Sequence, residues 1–467
     1  MTSTTHQPAD LGRGAVAQQE LADWVGDATR RLADLVADLT DEQLCVPELD
    51  IVNPLLWEIG HVTWFQEAFV LRRALGEPPL VAQGDAIWDS AAIPHATRWH
   101  LTLPSPAETR TYMDEVAGRV AARVVAPDAS EQLRFIARYA VHHHDMHTEA
   151  LTYTRQTLGY ASPPFGATEA DAGSADRAAA GEADRGALEG DAIVPGGRFL
   201  LGADRDEGFV FDNEKWVHPV ELAPFRISRA PVTQADYANF VDDGGYRTRS
   251  LWSDAGWEWR AGTGAEHPVY WRRVGGISGY GPGNWERRHF DAWVPLEPHR
   301  PVCHVCFHEA QAFCRWAGRR LPTEAEWEAA AIGEPAEPGG VDGAGFSPRR
   351  RRLPWGDEPI TFFHANLDWR HGDTVDVAAF PAGDSAFGCR QMLGNVWEWT
   401  ASPFEPYPNF EQDGYRDNSW PWFGSRMVLR GGAWATRARL LRPTLRNYFT
   451  PDRRDVFAGF RTAADAQ

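Results

Sequence analysis

Two histidines four residues apart, His143 and His147, stand in the run Tyr139-Ala-Val-His-His-His-Asp-Met-His-Thr-Glu149. On an α-helix that spacing puts both imidazoles on one face, a turn apart. The apolar positions around them keep the same phase: Leu133, Ile136/Ala137, Ala140, then His143, His147, Leu151 and Thr154. Two imidazoles therefore occupy a core stripe, the arrangement that holds a metal ion inside a helix bundle. The competing reading is a pair of hydrogen-bonded core histidines. His142 and His144 fall off that face and are expected to be solvated or to support the others from behind. A third imidazole, His61, lies in the apolar stripe of an earlier segment and can face the pair. Three imidazoles leave coordination positions open, which catalysis requires and a structural site does not.

The elements that must position these residues are legible as helices. Leu21, Trp24/Val25, Ala28, Leu32, Leu35/Val36 and Leu39 mark a first amphipathic helix. Asn53-Pro54 reads as N-cap and first residue of a second, which carries Trp57, His61, Trp64/Phe65 and Ala68 and runs to Arg73. Gly76-Glu-Pro-Pro ends it, and a long loop follows. Ser105-Pro-Ala-Glu108 is a capping box for a third helix, with Tyr112, Val116 and Val120 inward. The histidine helix, about 130–158, is the fourth. Residues 17–161 thus predict a four-helix bundle with one long crossover. Residues 1–16 read as disordered, and 162–190, rich in Ala, Gly, Asp and Glu, as a flexible linker. From 191 to 465 the texture changes to short strands and Gly/Pro turns, with two short helices at 232–240 and 307–316. The 21 Trp, 43 Gly and 33 Pro fit a loop-rich α+β domain cemented by aromatics.

The 467 residues carry a formal charge of −19, which argues against nucleic-acid and anionic-membrane partners. No apolar run is long enough to span a bilayer, and no signal peptide is evident, so a cytoplasmic protein is expected. The five cysteines are expected as free thiols. Cys303-x-x-Cys306 sits in a strand-like run that would put the two on opposite faces. The basic run Arg349–Arg352 is brief and expected to be a solvated loop.

The second half resembles the formylglycine-generating/sulfatase-modifying fold, a C-type-lectin-like arrangement. The resemblance rests on Pro195-Gly-Gly-Arg-Phe-Leu-Leu-Gly202, Phe211-Asp-Asn-Glu214, Pro231-Val-Thr233, Gly318-Arg-Arg-Leu-Pro-Thr-Glu-Ala-Glu-Trp-Glu328, Gly394-Asn-Val-Trp-Glu-Trp399 and Leu429-Arg-Gly-Gly-Ala-Trp434. The formylglycine enzymes need a late cysteine pair, and this chain has no cysteine after Cys389, so that activity is not expected. The first half, with His61 and His-x3-His-x-Glu149, resembles a DinB-like bundle. Bundle followed by formylglycine-like domain is the architecture of the ergothioneine-pathway hercynine sulfoxide synthases and their ovothiol and selenoneine relatives.

That resemblance implies Fe(II) held by His61, His143 and His147, with Glu149 orienting a ligand imidazole. It implies an O2-dependent coupling of a thiol or selenol donor to C2 of the hercynine imidazole, giving a sulfoxide or selenoxide. Tyr415 resembles the family's catalytic tyrosine, a phenol that delivers a proton. Asn447 and Tyr448 resemble residues lining the hercynine site, where an aromatic face suits a quaternary ammonium. The chain departs from the ergothioneine enzymes in having Asp145-Met146 between the histidines, Asn418 after the tyrosine and Phe449 after the Asn-aromatic pair. These departures weigh against a γ-glutamylcysteine donor. Trp88-Asp-Ser and Thr152-Tyr-Thr-Arg-Gln-Thr-Leu-Gly-Tyr160 resemble the selenoneine-synthase branch, whose donor is a selenosugar. Trp420 and Trp422 would then stack on the sugar face, while Arg98 could clamp a donor carboxylate. An ergothioneine-type synthase using γ-glutamylcysteine or cysteine stands second. A non-catalytic lectin-like binding protein and a zinc hydrolase of the bundle type are the readings from other classes.

Overall fold

A computed structural model describes residues 16–164, 186–275, 282–336 and 345–466. The expected unstructured start and most of the expected linker lie outside these residues. The first domain is built from helices α1 (Gln18–Val36), α2 (Asp41–Cys45), α3 (Leu55–Gln66), α4 (Gly84–Trp88), α5 (Pro106–Val124) and α6 (Glu131–Leu158). α1, α3, α5 and α6 form the bundle. The Ser105–Glu108 capping box closes on α5 as its sequence predicts. Ser130 caps α6, and Gly159 ends it in a left-handed conformation.

α3 begins one residue later than expected, with Pro54 as N-cap, and Asn53 is freed for side-chain bonds near the histidines. All twelve α3 residues are buried, as befits a helix apolar on every side. The helix does not end at Gln66: Glu67–Ala74 continue it as a π-helix, a geometry that often marks functional sites. The crossover from 75 to 104 is more ordered than its sequence suggests, with α4 and a 3-10 turn at His95–His100. Gly60 permits this packing, since a Cβ there would lie 2.1 Å from the Trp88 indole nitrogen.

In the second domain, strands Asn447–Phe449, Met427–Arg430, Trp397–Pro403 and Ala458–Gly459 make one sheet in that order. A second sheet joins Asp191–Val194, Phe225–Ser228 and Ala463–Asp465. Strand Gly197–Leu201 pairs antiparallel with His218–Leu222. Helices Gln234–Asp242 and Phe307–Trp316 match the two expected. Pro301 makes only an isolated bridge to Thr233, so the cysteine run is no strand; Cys306 caps the helix that follows. All five cysteines are free thiols. The arginine run is not a solvated loop throughout, because Arg350 ends strand Phe346–Arg350 and binds Asp204, Glu328 and the carbonyls of Leu200 and Gly202. Among the described residues no helix is long and apolar enough to cross a membrane.

The two domains meet along α6. Asp145, Glu149, Thr152 and Gln156 recur at helical spacing and form a polar stripe beside the histidine stripe. Asp145 pairs with Arg439 at 2.6 Å, and Glu149 accepts from Trp397 Nε1 at 2.6 Å. Thr152 accepts from Trp369 Nε1 at 3.2 Å, and Gln156 donates to the Arg288 carbonyl at 2.9 Å. The second domain thereby covers the side of α6 that a lone bundle would leave wet. His142, against Phe209 and Phe211 of that domain, is consequently buried, not solvated; His144 is buried within the bundle, where its Nδ1 bonds Gln66 of α3 at 3.1 Å.

The Asp145–Arg439 pair yields a stability prediction. Arg439 holds the buried Asp145 carboxyl far below the usual carboxylate range, against the cost of burial. The folded value lies below the unfolded one, so the stabilisation is present above about pH 4 and is lost as pH falls through the depressed folded value. Asp145→Asn leaves Arg439, among the described residues, with Asp27 as its remaining carboxylate partner and is expected to cost about 3 kcal/mol. The urea midpoint measured at pH 7 and pH 3 should show the variant's deficit at pH 7 shrinking in acid.

Candidate metal centre

His61 comes from the middle of α3, and His143 and His147 from successive turns of α6. One ring nitrogen from each lies within 4.8 Å of the others. The ring centroids are 5.3 Å (His61–His143), 5.0 Å (His61–His147) and 4.6 Å (His143–His147) apart. His61 Nδ1 is 2.8 Å from the Trp88 carbonyl, and His147 Nδ1 is 2.8 Å from Glu58 Oε1. Both bonds fix the tautomer that leaves Nε2 as a lone-pair donor. Burial, reinforced by the neighbouring imidazoles, holds the pKa values of His61 and His143 well below the ordinary histidine value, so both rings are neutral. Trp57 stacks on His61 at 5.0 Å and Phe65 on His143 at 3.9 Å. The buried Nδ1 of His143 has no hydrogen-bond partner among the described residues. Three clustered imidazoles, two of them buried and the third partly exposed, are a donor set for a divalent metal, and iron(II) fits it.

A pocket opens beside His143 and His147, between α6 and the second domain. Met146, Glu149 and Tyr153 line it from the helix, Tyr415, Asp417 and Asn418 from a loop, and Asn447, Tyr448 and Phe449 from the edge strand. The Tyr415 ring meets His143 edge-on at 5.7 Å and Phe65 at 4.9 Å, and its hydroxyl is 3.4 Å from Ser90 Oγ. Burial pushes the Tyr415 pKa up to about 12, so the phenol keeps its proton at neutral pH. Asn418 is held by Asp212 and Ser419, and its carbonyl accepts from the Tyr448 hydroxyl.

Three expected site residues serve otherwise than their types suggest. Glu149 lines the pocket but orients no imidazole: it accepts from Trp397 and Thr436, and burial pushes its pKa up to about 7. Two positions beyond His147, it faces the domain interface, as the helix period requires. Arg98 is absent from the pocket lining and instead donates to Asn53 Oδ1 at 2.6 Å. Trp420 is 53% exposed and, like Trp422, not among the lining residues; it packs near Phe410 and Phe423. Glu58 and Ser90 were missed. A carboxylate inside Leu55-Leu-Trp-Glu-Ile-Gly-His61 had to find a buried partner, which was a readable signal. The Trp88 carbonyl carries none, because any residue supplies one.

This is a helical bundle that supplies a cluster of three imidazoles, two of which line a pocket completed by a second, α+β domain. A sulfatase-modifying factor enzyme 1-like domain matches residues 176–466, and the DinB superfamily matches 26–151. The hercynine oxygenase of Mycolicibacterium thermoresistibile is 39% identical, across 96% of this chain and 95% of its own. That of Mycobacterium tuberculosis is 36% identical, across 96% and 99%. The formylglycine-generating enzyme of Streptomyces coelicolor is 32% identical, across 59% of this chain and 90% of its own. The chain belongs to the hercynine oxygenase family, and it is an enzyme of the oxygenase class.

Proposed function

We propose that the chain uses iron(II), held by His61, His143 and His147, and O2 to join a chalcogen donor to C2 of hercynine, giving a selenoxide or sulfoxide. Bound there, iron(II) would supply oxygen activation and a site for the donor's selenolate or thiolate. The protein's own residues do the rest. Phe65, Phe69 and Trp57 exclude water around the imidazoles. Tyr415 presents a protonated hydroxyl on the His143 side of the pocket. Tyr153, Tyr448 and Phe449 offer aromatic faces to a trimethylammonium, and Asn447 an amide to a carboxylate.

The donor we favour is a selenosugar, and the observation that carries this is the pocket's lack of a spare cation. Among its described lining residues, Arg446 is the only guanidinium. It is already held by Glu324 at 2.7 Å and by the carbonyls of Asn213 and Glu405. Glu149 and Asp417 add acid to the lining. A neutral sugar suits such a pocket better than γ-glutamylcysteine, which brings two carboxylates. The second reading is an ergothioneine-type sulfoxide synthase, which the relatives' name, hercynine oxygenase, fits equally. Steady-state kinetics with hercynine and each donor in turn separates the two. Selenosugar or thiosugar turnover with kcat/KM at least tenfold above γ-glutamylcysteine is expected, and the reverse order would install the second reading.

Glu58 gives a further prediction. Removing a carboxylate that fixes a ligand imidazole costs about 10–100-fold in metal affinity. Glu58→Ala is expected to weaken Fe(II) binding by that factor in anaerobic chelator competition, while the Glu149→Gln variant retains wild-type affinity.

A further inference from the structure

We propose that Arg98 is a positioning residue that locks the imidazole supports to the Tyr415 loop, and that it does not bind the donor. The inference rests on the reading of the three imidazoles as a metal site and asks what holds them.

Arg98 sits in the 3-10 turn His95–His100 of the crossover. Its guanidinium lies 4.1 Å over the Trp57 ring, and Trp57 stacks on His61 with only 6° between planes. Its Nη1 donates to Asn53 Oδ1 at 2.6 Å. Asn53 Nδ2 donates to Glu58 Oε2 at 3.3 Å, and the other Glu58 oxygen binds His147 Nδ1. Arg98 Nη2 reaches the carbonyls of Ser90 (3.5 Å) and Ile93 (3.4 Å). Ser90 in turn faces the Tyr415 hydroxyl, and Trp88, two residues earlier, gives its carbonyl to His61. One side chain therefore touches the stack behind His61, the carboxylate arm behind His147 and the loop that meets Tyr415.

An arginine suits this task for a physical reason. Its planar fork carries five donors in fixed directions and stacks on an aromatic face, whereas a lysine offers a mobile point charge. The guanidinium also balances the Glu58 carboxylate, which is 2% exposed and would be costly to bury alone. With its two Nη groups directed at Asn53 and two carbonyls, its Nε without a partner among the described residues, and its side chain outside the pocket lining, Arg98 is held by the scaffold through the tip of its fork.

The test measures Co(II) binding to Arg98→Met, Arg98→Lys and Asn53→Ala by calorimetry and by the visible Co(II) spectrum. Donor KM and kcat are measured separately on the Fe(II) enzymes. Positioning is expected to weaken Co(II) about 10–100-fold in Arg98→Met and to shift its spectrum. It should lower kcat with donor KM changed less than threefold, and lysine should not rescue. Asn53→Ala, which keeps the guanidinium but cuts its link to Glu58, should weaken Co(II) in the same direction and covers the case that Arg98→Met fails to fold. Wild-type Co(II) affinity and spectrum in both Arg98→Met and Asn53→Ala, with donor KM raised tenfold in Arg98→Met, would overturn the proposal in favour of a donor clamp. A wild-type chain that binds neither Co(II) nor Fe(II) would instead overturn the metal-site reading beneath it.

Discussion

His147→Ala is expected to abolish turnover and to lower Fe(II) affinity on the order of 10³-fold, about 4 kcal/mol. His147 is the best of the three imidazoles for this test because its side chain is 22% exposed. His61 and His143 are more deeply buried, and truncating them would add a cavity cost to any loss of ligation. The competing account treats the trio as ordinary core histidines. It anticipates a modest stability change and no metal-dependent difference between variant and wild type. Anaerobic titration with an Fe(II) chelator as competitor, beside a thermal melt without metal, separates the two. The melt should barely move while the affinity collapses.

Tyr415→Phe is the second large effect. It keeps the ring contacts to His143, Phe65 and Phe69 and removes one hydroxyl whose bond to Ser90 is long at 3.4 Å. Stability should fall by less than about 1 kcal/mol and metal affinity should hold. If the phenol delivers a proton in the coupling step, kcat should drop by about 10²–10⁴-fold. Burial pushes its pKa up to about 12, so the phenol stays protonated from pH 6 to 9 and the deficit should be constant across that range. A variant with wild-type kcat would reduce Tyr415 to a packing aromatic.

The bundle and its histidines were readable because period and residue type carried the same message. His-x3-His on an apolar stripe means two imidazoles on one inward face, and the Ser105–Glu108 box marks a helix start wherever it occurs. The second domain was legible through long motifs whose glycines and tryptophans are scaffold. What the pattern hid was the consequence of two domains sharing α6. A helix packed on one side shows one buried stripe, but α6 is packed on two, so His142 is inside and Glu149 serves the interface, while His144 turns to Gln66 within the bundle. Arg98 and Trp420 are suggested by residue type and by their place along the chain. Type cannot tell an arginine that grips a ligand from one that stacks on Trp57 and bonds Asn53. The carbonyl of Trp88 and the π-helical turn after Gln66 lie beyond such reasoning, since neither depends on a side chain that advertises it.

The account's central claim is tested most directly by loading the chain with Fe(II) without oxygen, then following O2 uptake on adding hercynine and a selenosugar. Oxygen consumption that requires both substrates, with a product mass of one hercynine joined to the donor plus one oxygen atom, is the expected result. Bound iron with no hercynine-dependent uptake from selenosugar, thiosugar, cysteine or γ-glutamylcysteine would contradict it, leaving the fold and the three imidazoles in place without the reaction argued for them.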